Sequence, residues 1–481
     1  MRRVPLLLAL AACSGTPAAG DRPPNIVLIV TDDQGWGDLS CQGAPYATPN
    51  LDRMAREGTR FTNFAVAQAV CTASRAALMT GCYPNRVGLQ GALNHTSAAG
   101  IHPDELLLPE ILRERGYATG CFGKWHLGLP PEFHPSRHGF DEFFGIPYSN
   151  DNGPLHPTVR GIPSLPLYDG ERVAETDPDQ SLFTRRLTDR ALSFIERNRA
   201  RPFFLYVPHV MPHVPIFASA PFRGKSGKGP YADVIQELDA SVGEILESLR
   251  KHGLDGRTLV FFFSDNGPFL SYGAHAGSAG PLREGKLTTW EGGLRVPCIA
   301  RWPGRVPAGR VSDSFLASID LLPTFAELAG GSFPARPIDG RSVRRLLEGG
   351  NEGRREYLCY AGEELQAVRD GDWKLRFAHE YLTVAGPTRA DGKPANFENM
   401  KPESITMSGL RGIASRHGYR VEKTAPALYD LRADPCETRD VAAAHPDVVR
   451  RLEAIAERAR ADLGDALAGR KGSGVRPAGK R

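Results

Sequence analysis

Asn25-Ile26-Val27-Leu28-Ile29-Val30-Thr31-Asp32-Asp33 is the stretch that decides the fold. Its apolar run does not alternate with polar residues and is rich in β-branched side chains. Such a run reads as a strand buried on both faces, as in a parallel sheet covered by helices on either side. Thr31-Asp32-Asp33 then marks the carboxyl end of that strand. Sites in open α/β sheets gather at such ends.

The chain downstream repeats the pattern. Pro49 to Gly58 reads as a helix, with Thr48 as its cap and Gly58 as its stop. Helices are also expected over Asp104 to Arg115, Ser181 to Asn198 and Tyr231 to His252. Strands are expected over Tyr117 to Phe122, Phe203 to Val207 and Thr258 to Ser264. This alternation predicts an α/β sandwich on a large, mostly parallel sheet flanked by helices. Near residue 350 the character changes, with Glu348 to Gly353 as a linker. Short strands follow at Tyr357 to Tyr360, Gln366 to Arg369, Trp373 to Phe377 and Ala427 to Leu431, then a helix over Pro446 to Leu463. These predict a small C-terminal α+β domain, with Tyr381 to Val421 loop-rich. The division expected is a leader over 1–12, a tether over 13–24, a catalytic domain over 25–350, the small domain over 351–466 and a disordered basic tail over 467–481.

With 481 residues, 41% hydrophobic, the chain can bury one large core and a smaller one. Its formal charge of +4 misleads. Arg2, Arg3, Arg470, Lys471, Arg476, Lys480 and Arg481 all lie in the leader or the tail, and setting them aside leaves 52 basic against 55 acidic residues. A nucleic-acid-binding stripe is therefore not indicated. Two arginines and the run Pro5 to Ala12 read as a secretory leader, too short to span a bilayer. Leu10-Ala11-Ala12-Cys13 resembles a bacterial lipobox, with Cys13 acylated as the only membrane anchor. The protein is thus expected to be exported, as a periplasmic or cell-surface lipoprotein of a bacterium. Cys41, Cys82, Cys121, Cys298, Cys359 and Cys436 show no disulfide framework. Cys121 and Cys298 read as free buried thiols.

Several segments carry chemistry. Asp32 and Asp33 follow one buried strand, Asp265 and Asn266 another. Four hard oxygen donors suit Ca²⁺ or Mg²⁺, not zinc. Cys71-Thr72-Ala73-Ser74-Arg75 places a thiol and a guanidinium one helical turn apart. Lys124 and His126 follow a strand in Gly123-Lys124-Trp125-His126, and His209 and His213 follow another in Pro208 to Pro215. Lys286 lies in Gly285 to Gly293, and Ser149 in a segment that reads equally well as an ordinary turn.

Taken in this order, these segments resemble the formylglycine-dependent sulfatases of the alkaline phosphatase superfamily, most closely the arylsulfatase A-like branch. The resemblance covers nearly the whole mature chain. It implies an alkaline-phosphatase-like sandwich and hydrolysis of sulfate monoesters, aryl or carbohydrate. It also implies that a maturation enzyme converts Cys71 to formylglycine, whose hydrate attacks sulfur and then collapses to release sulfate. Asp32, Asp33, Asp265, Asn266 and modified Cys71 are implied as ligands of Ca²⁺ or Mg²⁺. Lys124, Lys286 and Ser149 are implied to hold the sulfate, Arg75 and His126 to contact the hydrated aldehyde, and His213 to contact sulfate and protonate the leaving oxygen. His209 is either a supporting or a structural residue, and His275 has no assigned role. The segments Leu428 to Leu431 and Asp434 to Glu437 resemble the family's small-domain signature. One departure stands out: Ala73 occupies a place where proline is usual, and alanine there resembles substrates of the radical-type maturation system. The rival readings are a phosphonate or phosphodiester hydrolase of the same superfamily and a non-catalytic glycan-binding lipoprotein on this scaffold.

Overall fold

The computed structural model describes residues 22–129, 131–157, 159–384 and 409–481. The leader, Cys13 and most of the tether fall outside the described residues. Among those described, no helix is long and apolar enough to cross a membrane.

A ten-stranded sheet organises the molecule. Its strands are β1 (Asn25–Thr31), β2 (Thr59–Phe61), β3 (Ala118–Lys124), β4 (Glu142–Ile146), β5 (Pro166–Asp169), β6 (Arg172–Thr176), β7 (Phe203–Pro208), β8 (Thr258–Ser264), β9 (Cys298–Arg301) and β10 (Arg310–Ser312). Their order is β10-β2-β9-β8-β1-β7-β3-β4-β5-β6. The five central strands, β8 to β4, all run parallel. β9 and β5 turn antiparallel at the two flanks.

β1 explains its own composition. It is paired on both edges, and every residue from Asn25 to Thr31 is buried. Ile26, Leu28 and Val30 enter one core with α2 (Cys71–Thr80), α3 (Leu108–Glu114) and α6 (Leu321–Ala329). Val27 and Ile29 enter the other, with α1 (Pro49–Arg56), α4 (Phe183–Arg197) and α5 (Pro230–Lys251). A strand sandwiched this way can afford no polar face.

Two local expectations shift. α3 starts at Leu108, four residues after Asp104, because Pro109 suits only the first helical turn and Glu110 Oε2 accepts from the Leu107 N–H at 2.8 Å. Thr48 does precede α1, but its hydroxyl takes the Ser40 N–H at 3.0 Å instead of capping the helix.

The C-terminal region is a four-stranded antiparallel sheet formed by Glu356–Ala361, Glu364–Asp370, Trp373–Arg376 and Ala427–Asp430. α8 (Pro446–Leu463) packs Leu452, Ile455 and Ala459 against Leu365, Ala367 and Leu428 of that sheet. The stretch expected to be loop-rich, Tyr381 to Val421, instead carries regular structure at both ends. His379–Val384 pairs with Tyr419–Thr424, and α7 (Gly409–His417) leads into the second strand. That pairing is between distant residues, so no local period announces it.

The expected disordered tail over 467–481 is corrected as well. Gly479–Lys480 forms a strand with Ala99–Gly100. Arg476 donates to both oxygens of Glu105, at 2.7 and 2.8 Å, and to Pro337 O at 2.8 Å. The glycines that resemble a linker instead allow close packing. A Cβ on Gly479 would lie 2.5 Å from the Phe133 ring, and one on Gly100 only 2.4 Å from it.

Candidate active site

The carboxyl edge of the parallel strands carries the chemistry. Thr31 lies opposite Ser264 across the β1–β8 register, so Asp32-Asp33 and Asp265-Asn266 emerge side by side. Lys124 ends β3, and Ser149 follows β4. His213 lies on the loop after β7, and Lys286 on the loop beyond β8. Cys71 reaches this edge as the first residue of α2, whose ten residues are all buried. The helix N-terminus there presents partial positive charge to any anion.

The sequence-derived residues converge. Cys71 Sγ lies 3.3 Å from Lys286 Nζ and 3.5 Å from Asp32 Oδ1. Lys286 Nζ also donates to Asp33 Oδ1 at 2.6 Å, and Lys124 Nζ to Asp32 Oδ2 at 2.5 Å. Lys124 reaches Ser149 Oγ at 2.9 Å, and Ser149 Oγ lies 3.2 Å from His213 Nε2. His213 Nδ1 sits 2.6 Å from Val214 O, which assigns the proton to Nδ1 in the neutral ring. Ser149 is therefore a member of the cluster, beyond any role in its turn.

Arg75 shares the Asp32 carboxylate with Cys71, each approaching a different oxygen. Its guanidinium donates to Asp265 Oδ2 at 2.8 Å, to Asp32 Oδ2 at 3.1 Å and to Lys124 O at 2.7 Å. It thus pins both carboxylates and the end of β3. His126 adopts a left-handed φ of 62° and places Nε2 2.7 Å from Leu93 O. Its Nδ1 is buried without a partner. His209 turns to Ser241 of α5, with Nε2 at 3.4 Å from its hydroxyl, and is a structural residue. His275 is half-buried at the end of the short turn Leu270–His275.

The electrostatics follow from crowding charge in a buried site. Burial works against the charged form of Asp32, but Lys124, His213, Arg75 and Lys286 together hold its carboxyl far below the usual range. Burial and the Asp32 charge push Asp265 up, against Arg75. Burial, with Asp32, pushes the Cys71 thiol up to about 12. A thiol held protonated is a poor nucleophile. Burial and Lys286 lower His213, and burial and Lys124 lower His126.

The donor set fits a hard cation. Ligand atoms of Asp32, Asp33, Cys71 and His213 lie within 4.8 Å of one another. Asp265 and Asn266 adjoin them: the Asp33 N–H donates to Asp265 Oδ1 at 3.3 Å, and Asn266 Nδ2 to Asp33 Oδ1 at 2.7 Å. Asp33 Oδ2 and Asn266 Oδ1 are buried acceptors with no donor. Leaving such atoms unpaired is costly, and a cation removes that cost.

Sequence reasoning missed the residues that border the cluster. Asp151, two residues past Ser149, has its carboxyl opposed by burial yet drawn down to about 2 by His213, His156, Lys124 and His417. His417 comes from α7, far along the chain. Only the proximity of Asp151 to Ser149 was visible in the sequence.

Comparison with known proteins agrees with this geometry. The model of the family described as Sulfatase matches residues 24–332, and that of the C-terminal region of aryl-sulfatase matches 352–470. The chain is 39% identical to human (Homo sapiens) arylsulfatase A over 483 residues, covering 94% of this chain and 89% of that one. It is 44% identical to N-acetylgalactosamine-6-sulfatase of Canis lupus familiaris over 391 residues, 77% of this chain and 75% of the relative. Among solved structures, the PsFucS1 sulfatase from Pseudoalteromonas sp. superposes with a TM-score of 0.75 at 26% identity, covering 91% of each chain.

Proposed function

The chain belongs to the sulfatase family and is a sulfuric ester hydrolase, and from that premise we propose that it cleaves sulfate monoesters at Cys71 converted to formylglycine, with one Ca²⁺ or Mg²⁺ held by Asp32, Asp33, Asp265 and Asn266. The observation that carries this reading is the position of Cys71 Sγ between Lys286 Nζ at 3.3 Å and Asp32 Oδ1 at 3.5 Å. Formylglycine would supply a hydrated aldehyde where the protonated thiol is unreactive. The cation would supply Lewis-acid neutralisation of the sulfate oxygens.

The chain's own residues do the rest. Lys124 and Lys286 stand on either side of the reaction centre and neutralise charge that spreads over the sulfate in the transition state. Ser149, held by Lys124, orients one sulfate oxygen. Arg75 fixes Asp265 and Asp32 so that the cradle is formed before substrate arrives. His213 is neutral while the cradle holds only its own charges. An anionic ester beside it favours the imidazolium, which then holds a proton at Nε2 for the departing alkoxide. Both aryl and carbohydrate sulfates satisfy this cradle.

Mass spectrometry of the peptide containing Cys71, taken from protein made in its native host, tests the proposal. It should find the thiol replaced by an aldehyde, and chelation of that preparation should lower both activity and melting temperature. The same preparation should turn over an aryl sulfate far faster than an aryl phosphonate. Preference for the phosphonate would favour the phosphonate or phosphodiester hydrolase reading. No turnover of either ester by modified, metal-loaded protein would leave the glycan-binding reading.

A further inference from the structure

We propose that a cavity lined by Arg341, Arg354 and Arg355 is a second anion site, which docks a sulfate group of a sulfated polysaccharide away from the reaction centre. The choice of a sulfated chain as ligand rests on the sulfatase reading above. The site itself uses none of the catalytic residues.

The cavity lies where the C-terminal sheet meets the catalytic domain. Its volume is about 350 Å³, and Arg341, Arg354, Arg355, Glu356 and Asp370 line it. Arg354 and Arg355 lead into Glu356–Ala361, the edge strand of the C-terminal sheet. Arg341 comes from the catalytic side. The two residues before it, Asp339 and Gly340, donate their N–H groups to Gly81 O at 3.0 and 2.8 Å. Gly81 ends α2, whose ten residues begin at Cys71. At about 1.5 Å per residue, the cavity lies about 15 Å along that helix from the reaction centre. A small ester in the sulfate cradle does not span that distance. A chain carrying many sulfates offers one to each site.

The arginines are in place before any ligand arrives. The buried Asp320 carboxylate accepts the Arg341 N–H at 3.0 Å and pairs with the Arg354 guanidinium at 3.2 Å. Arg354 donates further to Asp339 O at 2.5 Å and Glu356 O at 3.1 Å, so it supplies charge more than free donors. The carboxylates of the lining are occupied. Glu356 takes Arg458 on both oxygens, each at 3.0 Å. Asp370 takes Arg355 on one oxygen at 3.1 Å and Arg451 on the other at 2.8 Å.

Arg341 is different. It is exposed, and among the described residues its guanidinium bonds only to Gly353 O, at 2.6 Å. Five arginines therefore stand against three carboxylates here. Elsewhere in the chain, with leader and tail set aside, acids balance bases. The surplus is guanidinium and not ammonium, and its planar fork matches two oxygens of one sulfate group. A single exposed contact of this kind is weak alone. Joined through a polymer to binding elsewhere, it holds the enzyme on its substrate.

The test measures binding of dextran sulfate, with dextran, duplex DNA and sodium sulfate as comparisons. Wild-type protein should bind dextran sulfate and not dextran. Arg341→Glu should raise Kd for dextran sulfate about tenfold at low salt, as for loss of one hydrogen bond to a charged group. That difference should fade toward about 1 M salt. Turnover of nitrophenyl sulfate by the variant should match wild type. Unchanged affinity for dextran sulfate in Arg341→Glu overturns the inference. Duplex DNA bound as tightly as dextran sulfate overturns it too, by making the cavity a site for any polyanion. So does displacement of the polymer by an equal concentration of sulfate groups as sodium sulfate at matched ionic strength, which would make it a site for the free ion. Arg341→Gln should give a smaller loss in the same direction, and it carries the test if the charge reversal impairs folding. Binding decides the inference whatever the turnover. Hydrolysis of nitrophenyl sulfate by modified, metal-loaded wild type decides the sulfatase reading separately.

Discussion

Two buried charge networks lie either side of the segment Lys286 to Glu291, and they differ in which atoms they leave over. In the first, Asp32, Asp33 and Asp265 meet Arg75, Lys124 and Lys286. Its unpaired buried atoms include the acceptors Asp33 Oδ2 and Asn266 Oδ1. In the second, Glu291 and Glu437 meet Lys374 and Arg376. Its unpaired buried atoms are donors, Arg376 Nε and Trp290 Nε1. The Arg376 guanidinium lies over the Trp290 ring at 3.5 Å, and that of Arg283 at 3.6 Å. Surplus acceptors invite a cation or a proton donor from outside. The second network has its carboxylates matched by cations and its arginines laid on the Trp290 ring, and it joins the C-terminal sheet to the segment that carries Glu291. Similar side chains thus make a site in one place and a joint in the other.

Exchanging one lysine in each network should break this contrast or confirm it. Lys124→Ala should reduce kcat/KM about 10²- to 10³-fold on aryl and sugar sulfates alike. Lys374→Met should cost about 3–5 kcal/mol of stability, by removing the cation that two buried carboxylates share, while kcat/KM per folded molecule falls less than about tenfold. Denaturant titration and steady-state kinetics on both variants check this, and the opposite pattern would erase the distinction. pH sharpens it. Burial opposes the charge on Glu291, but Lys374, Arg369 and Arg295 hold its carboxyl at about 2. That contribution to stability is complete above its unfolded value of about 4.3 and is lost as pH falls toward 2. The stability gap between wild type and Lys374→Met should therefore narrow between pH 5 and pH 3.

A smaller effect separates His213, beside the first network, from Lys286 within it. If His213 protonates the leaving group, His213→Ala should damage hydrolysis of a sugar sulfate about 10²-fold more than that of nitrophenyl sulfate, whose phenolate departs nearly unaided. The ratio of kcat/KM values for the two esters reads this directly. Equal damage would move the acid role to Lys286. The smallest effect lies outside both networks. Arg476→Gln should lower stability by about 1–2 kcal/mol, through loss of its bonds to Glu105, and a thermal melt suffices to see it.

How much of this was legible depended on sequence distance. Asp32-Asp33 and Asp265-Asn266 could be placed together because each directly follows a buried strand, and parallel neighbours align their carboxyl ends. Lys124 and Ser149 follow from the same rule. Cys71 and Arg75 needed only a helical turn, although the direction of Arg75, toward Asp265, depended on a residue 190 positions away. Local periodicity carries no information about Glu437 meeting Lys374, or about His417 arriving beside Asp151. The tail misled for a chemical reason. Glycine and proline are common both in linkers and where backbones pack closely, and only the partner, here Phe133, distinguishes the two.

The strand at Gly479–Lys480 also ties a distant part of the chain to a segment beside the site. It pairs with Ala99–Gly100, and Gly100 also bridges to Gly128, just past Lys124 and His126. The segment that follows Leu93, whose carbonyl meets His126 Nε2, is thus held by backbone bonds to residues distant in sequence. The wall of the reaction centre is therefore braced by residues that contribute no chemistry to it.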